Sequence, residues 1–270
     1  MAKLSTRKTN ISENKVMKKN SMNLNFEIYK ILPLLFVVGI LPFVIRLKLI
    51  TLEGPFYEFW NGEKINADFF TYYKQIFIYV VTLWALFHTF LFTKKIKFTK
   101  AYYFMGAYAL LVILSTLFSK YPQIALHGFN ERMEGMWIVL CYLSLMFSTI
   151  NLVETEKQIK AIIYTLGISG AVISIISIFQ YFGMDIFNTE FAKDFMISKE
   201  IQSQVKEFKI QFGEKYSYGV FYNPNYLGGY ISFYAPLMLS FAIICHHIKE
   251  YERKSAVCSI FHSIYICTIW

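Results

Sequence analysis

Two short stretches carry residue types that can do chemistry where a polar segment meets an apolar one. In Asn130-Glu131-Arg132-Met133-Glu134-Gly135, the guanidinium of Arg132 stands just before the apolar run Met136–Ile150. A guanidinium at such a boundary forks onto a phosphate through two parallel hydrogen bonds, which suits a lipid diphosphate. Glu131 and Glu134 flank it, so pairing with a neighbouring carboxylate, as an anchor for the helix end, is the alternative. The second stretch is Asn223-Pro224-Asn225-Tyr226-Leu227-Gly228-Gly229-Tyr230. Proline fixes φ and each asparagine can bond nearby backbone, so Asn-Pro-Asn reads as a turn. The carboxamides of Asn223 and Asn225, at the mouth of the run Tyr226–Cys245, can also bind sugar hydroxyls. Gly228-Gly229 would let a ligand or another helix approach closely, and a turn with tight packing accounts for the same residues without a ligand.

Other reactive types offer less. His127 lies near Arg132 but has no partner at a metal-ligand or triad spacing, and reads as a packed or solvated loop histidine. His88, inside an apolar run, reads as a bond to a neighbouring helix, and His246-His247 as a pair of helix-end cations. Cys141, Cys245, Cys258 and Cys267 lie in or beside apolar runs with no CxxC among them, so they read as small packing residues. No metal site follows from these spacings.

The elements that must position these residues are membrane helices. Of the 270 residues 56% are apolar and 17% charged, where ordinary soluble domains carry about 25% charge and 45–50% apolar residues. Such a chain cannot cover its surface with polar groups, which excludes a soluble globular protein. The 27 Lys and Arg against 18 Asp and Glu sit between apolar runs, not on one face. They therefore argue for loops held inside a membrane and against nucleic acid as a partner.

Apolar runs occupy about Ile28–Ile50, Ile76–Phe92, Ala101–Phe118, Met136–Ile150, Ala161–Phe182 and Tyr226–Cys245. A helix crosses a hydrocarbon core of roughly 30 Å in about 20 residues, which the shorter runs reach with their flanking Tyr, Trp and Lys. A seventh run, Ala256–Trp270, stops after 15 residues, so the chain is expected to be truncated there. The fold expected is an all-α, polytopic transmembrane helical bundle with six to seven spans, over 28–270, behind a disordered cytoplasmic tail at 1–27. The short links 94–100, 152–160 and 246–256 hold nine Lys and Arg, whereas 51–70 and 119–135 hold three. The N-terminus is therefore read as cytoplasmic. Thr155-Glu156-Lys157-Gln158 has the pattern of a capping box opening the fifth span. Gly167 and Gly170 on that span would allow close packing. In the long outer loop 183–225, Ile201, Val205, Phe208 and Phe212 fall on one stripe of an amphipathic segment, which suits a surface helix or a cap over a cavity.

Taken together, the outer segments resemble the membrane O-antigen ligase and polymerase superfamily over roughly residues 30–250. Asn130–Gly135 is similar to the family's Arg-x-x-Gly leading into an apolar helix with a tyrosine, here Tyr142. Asn223–Tyr230, followed by an apolar run with Pro236, resembles the family's Gly-Asn-Pro-Asn-x-Leu-Gly segment, with Tyr222 in place of the first glycine. Gln180-Tyr181-Phe182-Gly183 fits the same order, and Phe69–Lys74 is a looser match to the start of the second span. The resemblance implies a glycosyltransferase moving a glycan from a polyprenyl-diphosphate carrier to an acceptor on the outer face of a bacterial plasma membrane. It also implies no metal or other cofactor. Arg132 would then neutralise the departing diphosphate, with Asn223 and Asn225 binding substrate. The family places the base for the acceptor in a later outer loop that this chain does not reach, so little transfer is expected from 270 residues alone. The competing expectations are a transport or lipid-handling protein, with His88 as its mid-membrane ionisable group, and a non-catalytic scaffold fragment.

Overall fold

The computed structural model describes residues 26–202, 215–221 and 223–247. A helical turn at 26–30 leads into α1 (Leu32–Gly39), followed by the antiparallel strands β1 (Lys48–Thr51) and β2 (Ile65–Asp68). Then come α2 (Tyr72–Phe92), α3 (Ala101–Leu117), α4 (Met136–Leu152), α5 (Glu156–Tyr181) and α6 (Pro224–His247). α2, α5 and α6 are each long and apolar enough to cross a membrane. The chain is a multi-pass membrane protein. α3 and α4 are apolar at 17 residues each. Large side chains face outward along these helices: Leu83, Phe104 and Phe233 are 69%, 78% and 72% exposed, a surface that belongs against lipid.

α2 lies between α1 and α4, α1 also packs on α5, and α3 packs on α4. The capping box that opens α5 forms as expected. Thr155 Oγ1 accepts from the backbone N–H of Gln158, and the Gln158 amide oxygen accepts from Thr155 N–H at 3.1 Å. The Gln158 amide also donates to the Glu27 carbonyl at 2.8 Å, tying the start of α5 to the turn before α1. α6 reaches α5 at the two glycines. A Cβ on Gly170 would lie 2.2 Å from the Tyr234 ring, and the Tyr234 hydroxyl donates to the Gly167 carbonyl at 3.0 Å. Gly228 and Gly229 differ from expectation, because a Cβ on either meets nothing within 4 Å among the described residues.

The first apolar run departs from a single span reaching Ile50. The helix stops at Gly39, a short 3-10 turn follows at Leu41–Phe43, and the chain is extended before β1. Pro42 sits in that turn, where its missing N–H and its ring end the helix. Beyond it Ile45, Leu47 and Leu49 alternate with Arg46 and Lys48, the period of a strand. The extended backbone is satisfied by Arg46 N–H to Phe69 O and Leu47 N–H to Met196 O, both at 2.9 Å. The two strands are thus an addition to an otherwise helical fold.

The polar segments gather at the two ends of the bundle. At one end Lys97 donates to the Ile150 and Val153 carbonyls at 3.1 and 3.0 Å and lies 3.9 Å from Glu154, which also faces Lys30 at 3.7 Å. At the other end, Leu47, Phe69, Phe70, Met196, Ile197 and Tyr218 form a buried apolar cluster. That cluster brings the β-strands, the start of α2 and the long loop after α5 together. The tail up to residue 25, Val205 to Phe212 of the amphipathic stripe, Tyr222, and the run Ala256–Trp270 lie outside the described residues.

Candidate functional site

Asp68 builds the floor of the site. Its Oδ1 accepts from the N–H groups of Thr71 and Tyr72 at 2.8 and 3.0 Å, so it caps α2 and fixes where that helix begins. The Thr71 hydroxyl lies 2.6 Å from Asp68 Oδ2 and 2.9 Å from the Glu131 carbonyl, at the base of the loop that carries Arg132. One turn on, Gln75 Nε2 donates to the Met133 carbonyl at 3.3 Å. The first turn of α2 therefore holds the Arg132 loop by its backbone.

That loop is pinched shut where two glycines cross. A Cβ on Gly128 would lie 2.3 Å from Glu134 N, and one on Gly135 would lie 2.4 Å from Gly128 N. Between them Glu131 and Met133 adopt left-handed φ values of 67° and 51°, at a cost of about 1–3 kcal/mol each. The loop is therefore held in one shape. Arg132 is exposed at its tip, and among the described residues no carboxylate lies within ion-pair distance of it.

Beneath Arg132 is a cavity of about 270 Å³. Lys74, Gln75, Arg132, Tyr142, Phe221 and Tyr226 are on its wall, so α2, the pinched loop, α4 and the start of α6 all contribute. Lys74 Nζ donates to the Val220 carbonyl at 2.7 Å and rests 5.9 and 5.8 Å from the Phe70 and Phe221 ring centres. It thereby binds the segment before α6 to α2 and still has a proton to give.

Asn223 and Asn225 stand on the turn that delivers Tyr226, and neither lines the cavity. Asn223 Oδ1 accepts from the N–H groups of Asn225 and Tyr226 at 2.9 and 3.3 Å, with Pro224 opening the helix behind it. That is an N-cap with proline in the first turn. The Asn225 side chain is exposed. Arg132 and the Asn-Pro-Asn turn therefore meet at one end of the bundle through Tyr226, with the asparagines in a supporting position.

The segment before that turn is held by Gln180, which is 5% exposed at the end of α5. Its Oε1 accepts from Tyr218 N–H at 3.1 Å and Gly219 N–H at 2.7 Å, and its Nε2 donates to Gly219 O at 3.1 Å. The Tyr218 hydroxyl donates to Asp185. Burial, then the bond to Asp185 and its charge, push that hydroxyl far above the usual tyrosine value near 10. A proton held more tightly when folded stabilises the fold below the unfolded value, and that stability is lost as pH rises. Tyr218→Phe is therefore expected to be about 1–3 kcal/mol less stable at neutral pH. It should also lose less than the parent above roughly pH 10. Thermal melts in detergent between neutral pH and pH 11 read both effects, and equal alkaline slopes would refute the assignment.

No family model, curated protein or solved structure matches this chain. The site is read from its own geometry. Sequence reasoning passed over Asp68, Gln75 and Tyr226, although Asp68-Phe69-Phe70-Thr71 just ahead of an apolar run is a helix-start signal. His88 bonds a neighbouring helical segment as expected. Its Nε2 accepts from Trp84 at 2.8 Å and its Nδ1 faces the Lys30 carbonyl at 3.0 Å, which together describe one neutral tautomer. A ring with both nitrogens engaged gives no support to transport through His88.

Proposed function

We propose that this chain acts as a membrane glycosyltransferase of the O-antigen ligase and polymerase type. It would handle a glycan on a polyprenyl-diphosphate carrier at the outer face of a bacterial plasma membrane, for delivery to an acceptor. The observation that carries the reading is the shared wall of one cavity by Lys74 and Arg132, with the guanidinium unpaired among the described residues. A planar guanidinium forks onto one phosphate while the Lys74 amino group donates to the next, so the pair suits a diphosphate. As the glycosidic bond breaks, negative charge grows on the leaving diphosphate, and the Arg132 guanidinium, with Lys74 as a donor beside it, stabilises it there without rearranging.

On this reading the apolar runs cross the membrane six to seven times, with the N-terminus cytoplasmic. The cavity then opens at the outer face, where the carrier's headgroup lies and its polyprenyl chain can stay in lipid. The exposed apolar faces of the helices support their place in lipid.

The test is binding of undecaprenyl diphosphate, against undecaprenol, to the full chain in lipid nanodiscs. Arg132→Ala is expected to weaken diphosphate binding about ten-fold or more, the equivalent of about 1.4 kcal/mol, and to leave undecaprenol unaffected. In membranes carrying an active form, the same substitution should abolish glycan transfer. Unchanged diphosphate affinity in Arg132→Ala would refute the reading.

A further inference from the structure

A second cavity, of about 310 Å³, lies on the other side of the Arg132 loop, between that loop and the β-strands. Gln75 and Met133 belong to both walls, so the two cavities are neighbours across one thin partition. The lining chemistry differs. The first has Lys74 and Arg132 on its wall with Glu131 and Glu134, whereas the second has no lysine or arginine there and carries Glu53, His127, Asn130 and the rings of Phe56 and Tyr72.

Among the described residues, one buried donor on its wall has no partner, and two more lie in the segments beside it. Asn130, 7% exposed and on the wall, leaves its Nδ2 unsatisfied. Asn66, also 7% exposed, leaves its Nδ2 unsatisfied and pairs in register with Ile50, a residue of the wall. Trp60 Nε1 is unsatisfied as well, and its ring lies 6.3 Å from that of Phe129, the residue before Asn130. Buried donors are nearly always paired, so the unpaired Asn130 amide on the cavity wall points to an occupant that supplies an acceptor.

We infer that this cavity is a subsite for a neutral, hydroxyl-rich ligand, a sugar unit. Hydroxyls accept from the Asn130 amide and donate to the Glu53 carboxylate, a pairing that a phosphate or carboxylate ligand could not complete. Phe56 and Tyr72 give apolar faces for the C–H side of the ring. The volume is at the lower end of the roughly 300–1,000 Å³ usual for small-ligand sites. The inference rests on the lipid-diphosphate reading and deepens it, because a sugar held here lies one partition away from Arg132 and Lys74, which would hold its diphosphate.

The experiment uses the full chain in nanodiscs, a diazirine-bearing methyl glucoside as probe, irradiation, and peptide mapping by mass spectrometry. Label is expected on 50–56 and 127–133 and is expected to be competed away by excess methyl glucoside. Asn130→Leu keeps the side-chain shape without its polar atoms and should cut the label about ten-fold. Glu53→Gln, at an exposed position that the fold tolerates, should also reduce it. Arg132→Ala should leave the label in place even where diphosphate binding is gone, so each reading can fail alone. Label spread evenly over exposed surfaces, label unchanged in both Asn130→Leu and Glu53→Gln, or label lost in Arg132→Ala as fully as in Asn130→Leu would each overturn the inference.

Discussion

Gly128→Ala is expected to open the Arg132 loop and abolish diphosphate binding while the helices stay packed. Gly128 adopts φ 86° and ψ 164°, a region that only glycine occupies at ease. The added methyl would also lie 2.3 Å from Glu134 N, 2.4 Å from Met133 C and 2.7 Å from Gly135 N. All three are backbone atoms, so no side chain can swing away to make room. Backbone strain and overpacking each contribute about 1–3 kcal/mol, and together they exceed what the bonds from Thr71 and Gln75 can hold. The loop is at one end of the bundle, so the loss should stay local: helical circular dichroism unchanged, undecaprenyl diphosphate affinity gone. Gly228→Ala is the control. Among the described residues nothing lies within 4 Å of its would-be Cβ, and alanine in a helix should stabilise by up to about 1 kcal/mol. If Gly128→Ala binds diphosphate like the parent, the pinched loop is not what presents Arg132.

The contrast between these glycines shows what could be read from the sequence and what could not. Gly228-Gly229 beside Asn-Pro-Asn looked like a point of close approach, yet both glycines face open space, whereas Gly128 and Gly135 form the crossing. A glycine's need for space depends on which backbone returns to it, and that return is a tertiary fact. Local devices were legible because their partners are near in sequence. The Thr155–Gln158 box and the Asn223 turn form as their spacing implies. The apolar helices were legible through hydropathy, but the end of the first was misjudged. Hydropathy does not distinguish Val44–Ile50 as helix from the same residues as extended chain and strand, while Pro42 and the alternation after it do. Arg132 was singled out from its position before a helix. Lys74, by contrast, entered only as the end of the looser Phe69–Lys74 match, since its partner is Val220, far along the chain.

Gln180→Leu is expected to weaken the site from outside it. One buried amide gives the backbone of Tyr218 and Gly219 what a neighbouring strand would give: an acceptor for two N–H groups and a donor for one carbonyl. Leucine fills a similar volume and supplies none of these. Three backbone groups are then left buried without partners, at roughly 1–3 kcal/mol each, so the fold should lose about 3 kcal/mol or more. The consequence reaches the cavity because the same segment continues to Val220, which receives Lys74, and to Phe221 and Tyr226 on the wall. Diphosphate affinity should therefore fall although Gln180 touches no ligand. Gln180→Glu separates hydrogen bonding from packing. Its carboxylate can still accept both N–H groups but repels the Gly219 carbonyl, whereas its protonated form can donate to that carbonyl. The glutamate keeps two of the three backbone bonds, so it should be more stable than the leucine variant and less stable than the parent. Thermal melts of the two variants beside the parent read that order. If the two variants are equal, the amide only fills space, and the route from the end of α5 to Lys74 is wrong.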